Sequence, residues 1–182
     1  MNDSPDNLQQ PAAAIAAKPA EVTVVGAGPA GSTAALQLAA AGHSVLLLDR
    51  EAFPRDKACG GGLLPGTQRA LERLGVLARV KAAAQSFTAV TMISPGGIRM
   101  QVPGQYLVLR RRVLDRILAQ AAVRAGAAFH QAEVTAITPQ PDGSTELSIP
   151  GLPPIRSRIV LVATGARLRL LRPHGMVRDP RP

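Results

Sequence analysis

The chain has 182 residues, of which 46% are hydrophobic and 18% charged, so it is globular and of a size for one domain or two small ones. Aromatic residues make up only 2%, with no Trp, which counts against a platform for single-stranded nucleic acid, because base stacking needs rings. One Cys permits no internal disulfide, three scattered His suggest no metal cluster, and no apolar run reaches the ~18 residues of a membrane span.

The formal net charge of +9 is unevenly spread: residues 1–155 contribute +3, whereas residues 156–182, with seven Arg against Asp179, contribute +6. A basic end of this kind can hold phosphates. It can equally be the margin of a longer domain whose acidic partners lie elsewhere, and that second reading is preferred. The N-terminus, Met1-Asn2-Asp3-Ser4-Pro5-Asp6, has no basic segment and so does not read as a secretory signal. A cytoplasmic location is the expectation.

Residues 1–20 are rich in Pro, Ala and Gln without apolar period and read as a disordered leader. Val22-Thr23-Val24-Val25 reads as a buried strand, residues 29–41 as a helix stopped by Gly42, and Val45-Leu46-Leu47-Leu48 as a second buried strand. Two short apolar strands joined by a helix make a parallel βαβ unit. Residues 50–64 read as a charged, Gly-rich loop, and 66–74 and 76–84 as short helices. Residues 87–94 and 98–102 read as a hairpin about Pro95-Gly96-Gly97, with Tyr106–Leu109 as a further strand. Leu114, Ile117, Leu118, Ala121, Ala122 and Ala125 fall on one helical face closed by Gly126. Residues 132–138, 144–149 and 155–163 read as three strands separated by Pro/Gly turns.

The chemistry concentrates after the first strand, in Gly26-Ala27-Gly28-Pro29-Ala30-Gly31. Gly26 permits a tight turn, Gly28 lets backbone approach a pyrophosphate, and Gly31 allows close helix–strand packing. The helix start presents free N–H groups and a partial positive charge to phosphates. The second strand ends on Asp49, whose carboxylate can accept hydrogen bonds from ribose hydroxyls. Such a run points to a dinucleotide without distinguishing NAD from FAD.

The segment Arg50-Glu51-Ala52-Phe53-Pro54-Arg55-Asp56-Lys57-Ala58-Cys59-Gly60-Gly61-Gly62-Leu63 distinguishes them. It resembles the loop after the second strand in the geranylgeranyl reductase family, FAD-dependent enzymes of the p-hydroxybenzoate-hydroxylase-like group. Arg110-Arg111-Arg112-Val113-Leu114-Asp115 with Leu118 is similar to the family's Arg-x-x-Leu-Asp-x-x-Leu helix, and Ala163-Thr164-Gly165-Ala166 to its turn near the FAD site. The resemblance spans residues 21–176. It implies an α/β, Rossmann-like FAD-binding fold, a βαβ unit plus an antiparallel meander, over residues 21–182, with the start of a substrate-domain hairpin at about 87–109.

The resemblance implies FAD contacts from Gly26, Gly28, Pro29, Ala30, Gly31, Asp49, Arg50, Cys59, Gly60, Gly62, Val134, Thr164 and Gly165. It also implies an Arg before the helix that neutralises pyrophosphate, Arg111 by register, with Arg110 close behind; a solvated basic cluster is the plainer reading. Cys59 reads equally well as a small buried residue, Val134 as a core Val, and Thr164-Gly165 as a strand-end turn. Asp115 reads as a helix-surface or Arg-paired residue. His43, His130 and His174 carry no assigned chemistry, no catalytic residue is identifiable, and no metal site is expected.

By the same resemblance the chain is expected to be the N-terminal part of a longer oxidoreductase, because the family's later Gly-Asp motif is not among these residues. The implied activity is reduction of isoprenoid C=C bonds, with NAD(P)H or another electron donor and a hydrophobic small-molecule substrate. Nucleic acid is not an expected partner, and there is room for peripheral membrane contact. An aromatic monooxygenase or halogenase, or an inactive nucleotide-binding remnant, are the alternatives.

Overall fold

The computed structural model describes residues 20–177 together with Leu8, Ala12 and Ile15. Most of the expected leader, and Arg178 and Arg181 of the basic end, lie outside the described residues. Of the leader, Leu8 is buried in a core cluster, and Ala12 and Ile15 pack against a second cluster. The chain divides into two compact units, residues 1–53 with 118–182 and residues 54–117.

The first unit starts with β1 (Ala20–Val25), α1 (Pro29–Ala40) and β2 (Val45–Asp49). Every residue of β2 is buried, as expected of a strand covered on both faces. The buried positions of α1 are Gly31, Ser32, Ala35 and Ala39, all small, so the helix lies close against its sheet. Within the second unit, β3 (Gly62–Leu63) precedes α2 (Pro65–Arg73) and α3 (Leu77–Ala83). β4 (Gln85–Ile93) and β5 (Arg99–Val108) then form a hairpin, and the sheet order is β3-β5-β4, antiparallel throughout.

Two sequence expectations are corrected here. Segments 98–102 and 106–109 are not separate strands; β5 runs through Pro103-Gly104. The register jumps from Phe87↔Tyr106 to Ala89↔Pro103, so a β-bulge absorbs the proline, which has no N–H for the ladder. The loop 50–64 also ends in a two-residue strand, β3. The expected turn is present: Gly97 (φ +80°) donates its N–H to the Ser94 carbonyl. Phe87, Val90, Met92, Ile93, Ile98, Met100 and Val108 of this hairpin are exposed.

Helix α4 (Arg111–Arg124) begins among the residues of the second unit and ends among those of the first. The first unit continues with β6 (Ala128–Gln131), β7 (Ala136–Pro139), β8 (Thr145–Ser148) and β9 (Ile155–Val162). The strand expected at 132–138 is displaced. The chain returns to the sheet earlier, as β6, then crosses 132–135 before β7. The six-stranded order is β6-β2-β1-β9-β8-β7. β6, β2, β1 and β9 are mutually parallel, and β8 and β7 extend the edge as an antiparallel meander. Phe129 of β6 is nearly inaccessible and meets Phe53 edge to face, ring centroids 5.6 Å apart. At the meander, Arg156, from the basic end, lies 3.6 Å from Asp142 and 3.7 Å from Glu146.

Candidate cofactor-binding site

Four parallel strands deliver four C-terminal ends to one edge of the sheet. Each is followed by residues singled out from the sequence: Gly26–Gly31 after β1, Asp49 and Arg50 at the end of β2, Val134 past β6, and Thr164-Gly165 past β9. In open α/β sheets this edge is where ligands bind.

The Gly-rich turn is built by contacts that exclude side chains. Gly26 has φ +106° and donates its N–H to the Leu48 carbonyl at 2.7 Å. A Cβ on Gly26 would lie 2.5 Å from the Ala163 carbonyl oxygen. A Cβ on Gly31 would lie 1.8 Å from the Gly26 carbonyl oxygen and 3.1 Å from the Ala163 Cβ. The Ala163 N–H meanwhile donates to the Val25 carbonyl at 2.7 Å. The turn after β1 and the turn after β9, 137 residues apart from Gly26 to Ala163, are thus locked against each other by backbone.

Gly28 is the N-cap of α1, with Pro29 in the first turn. Gly28 has no side chain to cap the helix, and its first turn carries no acid. The leading N–H groups therefore face outward without a side-chain acceptor, the arrangement that receives a phosphate. Ser32 turns inward, donating its hydroxyl to the Ala27 carbonyl at 3.1 Å.

Asp49 is buried, and the turn holds its carboxylate. Oδ2 accepts from the Ala27 N–H at 2.8 Å and Oδ1 from the Glu51 N–H at 3.0 Å. A carboxylate accepts about four hydrogen bonds, so it can brace the turn and still receive hydroxyls. Arg50 is exposed and pairs with Glu51 at 2.8 Å. Val134 is buried in a core cluster, so only its backbone is available to a ligand. The Thr164 hydroxyl donates to the Arg167 carbonyl at 2.6 Å, and Gly165 sits at φ +65°.

In the second unit the loop 55–61 and the start of α4 form a charged cluster. Cys59 is exposed, which corrects its reading as a buried residue. Its sulfur accepts from the Gly61 N–H at 3.5 Å. That bond first, and then the Arg111 guanidinium, hold the thiol below its ordinary pKa. Asp115 is fully buried rather than on the helix surface. Arg111 grips it with both prongs, Nε to Oδ1 at 2.6 Å and Nη2 to Oδ2 at 2.9 Å. Arg55 reaches the same carboxylate at 3.2 Å. The Asp115 carboxylate in turn raises the pKa of Arg111. Arg110 is exposed, and its carbonyl accepts from the Leu114 N–H at 3.1 Å. Sequence reasoning missed Arg55; the i,i+4 spacing of Arg111 and Asp115 was the only local signal of this cluster.

Residues 19–148 match the family model of the FAD binding domain. The chain belongs to that family. This FAD-binding domain is 35% identical over 167 residues to digeranylgeranylglycerophospholipid reductase 2 of Methanopyrus kandleri, covering 89% of the chain and 41% of that protein. It is 58% identical over 57 residues to menaquinone reductase of Mycolicibacterium smegmatis, covering 31% of the chain and 14% of that protein. Among solved structures, a flavoprotein/dehydrogenase from Cytophaga hutchinsonii superposes with a TM-score of 0.75 at 25% identity, over 87% of the chain and 42% of that protein. The chain thus spans about two fifths of the reductase it matches along most of its length. These likenesses bear out the Rossmann-like fold, FAD as cofactor and the resemblance to geranylgeranyl reductases.

The residues of the FAD-binding domain fit that cofactor. The turn after β1 is a cradle that a side chain would fill, and the first turn of α1 offers uncapped donors. Of the three consecutive glycines, only Gly61 is demanded by the protein's own packing. It has φ +71°, and a Cβ there would lie 2.6 Å from the Leu109 carbonyl oxygen. A Cβ on Gly60 or Gly62 would meet nothing within 4 Å. Packing therefore does not require glycine at those two positions. Among the described residues there is no His/Cys/Asp/Glu group able to hold a metal and no helix long and apolar enough to cross a membrane.

Proposed function

We propose that this chain is the FAD-binding portion of a flavin-dependent oxidoreductase that reduces isoprenoid C=C bonds. The observation carrying the proposal is the convergence of the β1 and β9 turns, Asp49 and the β6 end on one sheet edge. A bound flavin would supply the redox chemistry, relaying two electrons from NAD(P)H or another donor to the alkene as a hydride equivalent, with a proton completing the saturated bond. The α1 N–H groups bind the pyrophosphate, and Gly28 keeps its approach clear. Asp49 braces the turn and receives the ribose. Val134 contributes backbone groups to the adenine. Thr164 and Gly165 shape the far end of the groove, and Arg50 lies beside its ribose end. Within the second unit, Gly60 and Gly62 leave the backbone beside Cys59 open to a ligand, and Arg111, with Arg110, supplies cations suited to an anionic group.

The isoprenoid substrate is supported by the likeness to the digeranylgeranylglycerophospholipid reductase of Methanopyrus kandleri and by a short, close match to menaquinone reductase. The digeranylgeranyl phospholipid in the first of those names fits a hydrophobic substrate and a cytoplasmic enzyme working at a membrane surface. The test is to load protein carrying this sequence with FAD, reduce it with dithionite, and add a geranylgeranyl lipid. A gain of two hydrogens per reduced double bond, read by mass spectrometry, is the expected result. No gain in mass, with oxygen-dependent hydroxylation or halogenation of an aromatic compound instead, would replace this reading.

A further inference from the structure

Ser32 is fully buried in α1 among Gly31, Ala35 and Ala39, where an alanine would also fit and is the better helix former. A serine inside a helix ordinarily returns its hydroxyl to a carbonyl one turn back in the same helix. Here the hydroxyl leaves the helix, donating to the Ala27 carbonyl, five residues back and ahead of the Gly28 N-cap, at 3.1 Å. The Ser32 N–H makes the ordinary helical bond to the Gly28 carbonyl at 2.9 Å. The other side of Ala27 is held as well, since its N–H donates to Asp49 Oδ2 at 2.8 Å. Ala27 is thus gripped at both its backbone groups, by one side chain from α1 and one from β2, and all three residues are buried.

The consequence falls on Gly28. The Ala27 carbonyl and the Gly28 N–H belong to one planar trans peptide, so they point in opposite directions. Drawing the carbonyl onto Ser32 therefore turns the Gly28 N–H away from it, at a residue that is only partly buried. We infer that Ser32 is a positioning residue: with Asp49 it clamps the two peptides of Ala27, so that the Gly28 N–H is aimed at an anionic group before that group arrives. Donors fixed in advance bind without the cost of ordering them first. The inference rests on the FAD reading for the identity of the anion, the cofactor's pyrophosphate, while the clamp stands on the chain's own hydrogen bonds.

Ser32→Ala removes the donor and favours the helix, so it separates the clamp from the fold. In the cofactor-free, isotope-labelled chain, the heteronuclear NOE at Ala27 and Gly28 should match that of Val24 in the native protein. It should fall in Ser32→Ala while Val24 and Ala35 keep their values, and an unchanged value at Gly28 overturns the clamp. In titrations read by flavin fluorescence, Ser32→Ala should weaken FAD by about two- to ten-fold, the net worth of one hydrogen bond. At saturating FAD, the phosphorus NMR signals of the pyrophosphate should move toward those of free FAD. A hydroxyl that only satisfied a buried carbonyl would leave those signals in place, and that outcome overturns the positioning role. If Ser32→Ala fails to fold by circular dichroism, Ser32→Cys decides, since its thiol fills the site but donates weakly. The same two changes are expected of it, and their absence overturns the inference. Failure of the native chain to bind FAD would strike the cofactor reading and leave the cofactor-free NOE to judge the clamp, so the two failures are distinguishable.

Discussion

The three consecutive glycines of the loop 60–62 separate fold from function by single methyl groups. Gly61→Ala places a side chain at φ +71° and 2.6 Å from the Leu109 carbonyl oxygen. The left-handed conformation costs about 1–2 kcal/mol, and overpacking against backbone adds roughly 1–3 kcal/mol. The loss of about 2–5 kcal/mol is a large share of the ~5–15 kcal/mol that holds a typical domain together. Gly60→Ala and Gly62→Ala add a Cβ that meets no atom within 4 Å, at backbone angles outside the left-handed region. Their stability should stay within about 0.5 kcal/mol of the native chain. The assay is urea unfolding followed by circular dichroism, since there is no Trp to report, paired with FAD titration by flavin fluorescence. Gly61→Ala should lower the unfolding midpoint, while Gly60→Ala and Gly62→Ala should leave it in place and weaken FAD. Equal loss of stability at all three positions, or FAD binding indifferent to the methyls at 60 and 62, would refute the assignment.

Other substitutions test other parts of the account. Gly28→Val should abolish FAD binding with the circular dichroism spectrum retained, and unchanged binding would remove the pyrophosphate from that turn. Asp49→Ala leaves the Ala27 N–H without its acceptor, so the unfolding free energy should fall by about 1–3 kcal/mol and FAD should bind less tightly. The hydrogen bond from His43 holds the Glu21 carboxyl below its usual pKa. Any stability this contributes is therefore present above the ordinary carboxylate range and lost as pH falls through the lowered pKa. His43→Gln should move the Glu21 titration, read by NMR, up toward its ordinary value. Ile93→Ser with Ile98→Ser, on exposed hairpin positions, should reduce sedimenting aggregate at constant unfolding midpoint.

What the sequence made legible was local backbone chemistry. The Gly-rich turn, the stop at Gly42, the Pro95-Gly96-Gly97 turn and the acid ending β2 are written in residues whose conformational needs are specific. β6 was not legible. Ala128-Phe129-His130-Gln131 has neither alternation nor a β-branched run, and it is a strand because it lies parallel beside Leu46–Asp49. From sequence β5 reads as two strands, 98–102 and 106–109, and only the partner strand shows that a bulge near Pro103 joins them. The Asp115 cluster was half visible: Arg111 stands four residues before Asp115 on one helix face, but Arg55 lies 60 residues upstream and is brought in by folding alone. The clash that a Cβ on Gly26 would make with the turn after β9 is likewise a tertiary fact, whereas a Cβ on Gly31 would first meet the Gly26 carbonyl oxygen of its own turn.

The central claim is that FAD occupies the C-terminal edge of the parallel strands. Backbone amide NMR of the isotope-labelled chain, titrated with FAD and in parallel with NADH, tests it directly and registers weak binding as well as tight. The account predicts saturating FAD-dependent shifts at Gly26–Ser32, Asp49–Glu51, Ala132–Val134 and Ala163–Gly165, with weaker effects from NADH. Shifts confined to other residues, or a response at these turns to NADH and none to FAD, would contradict it.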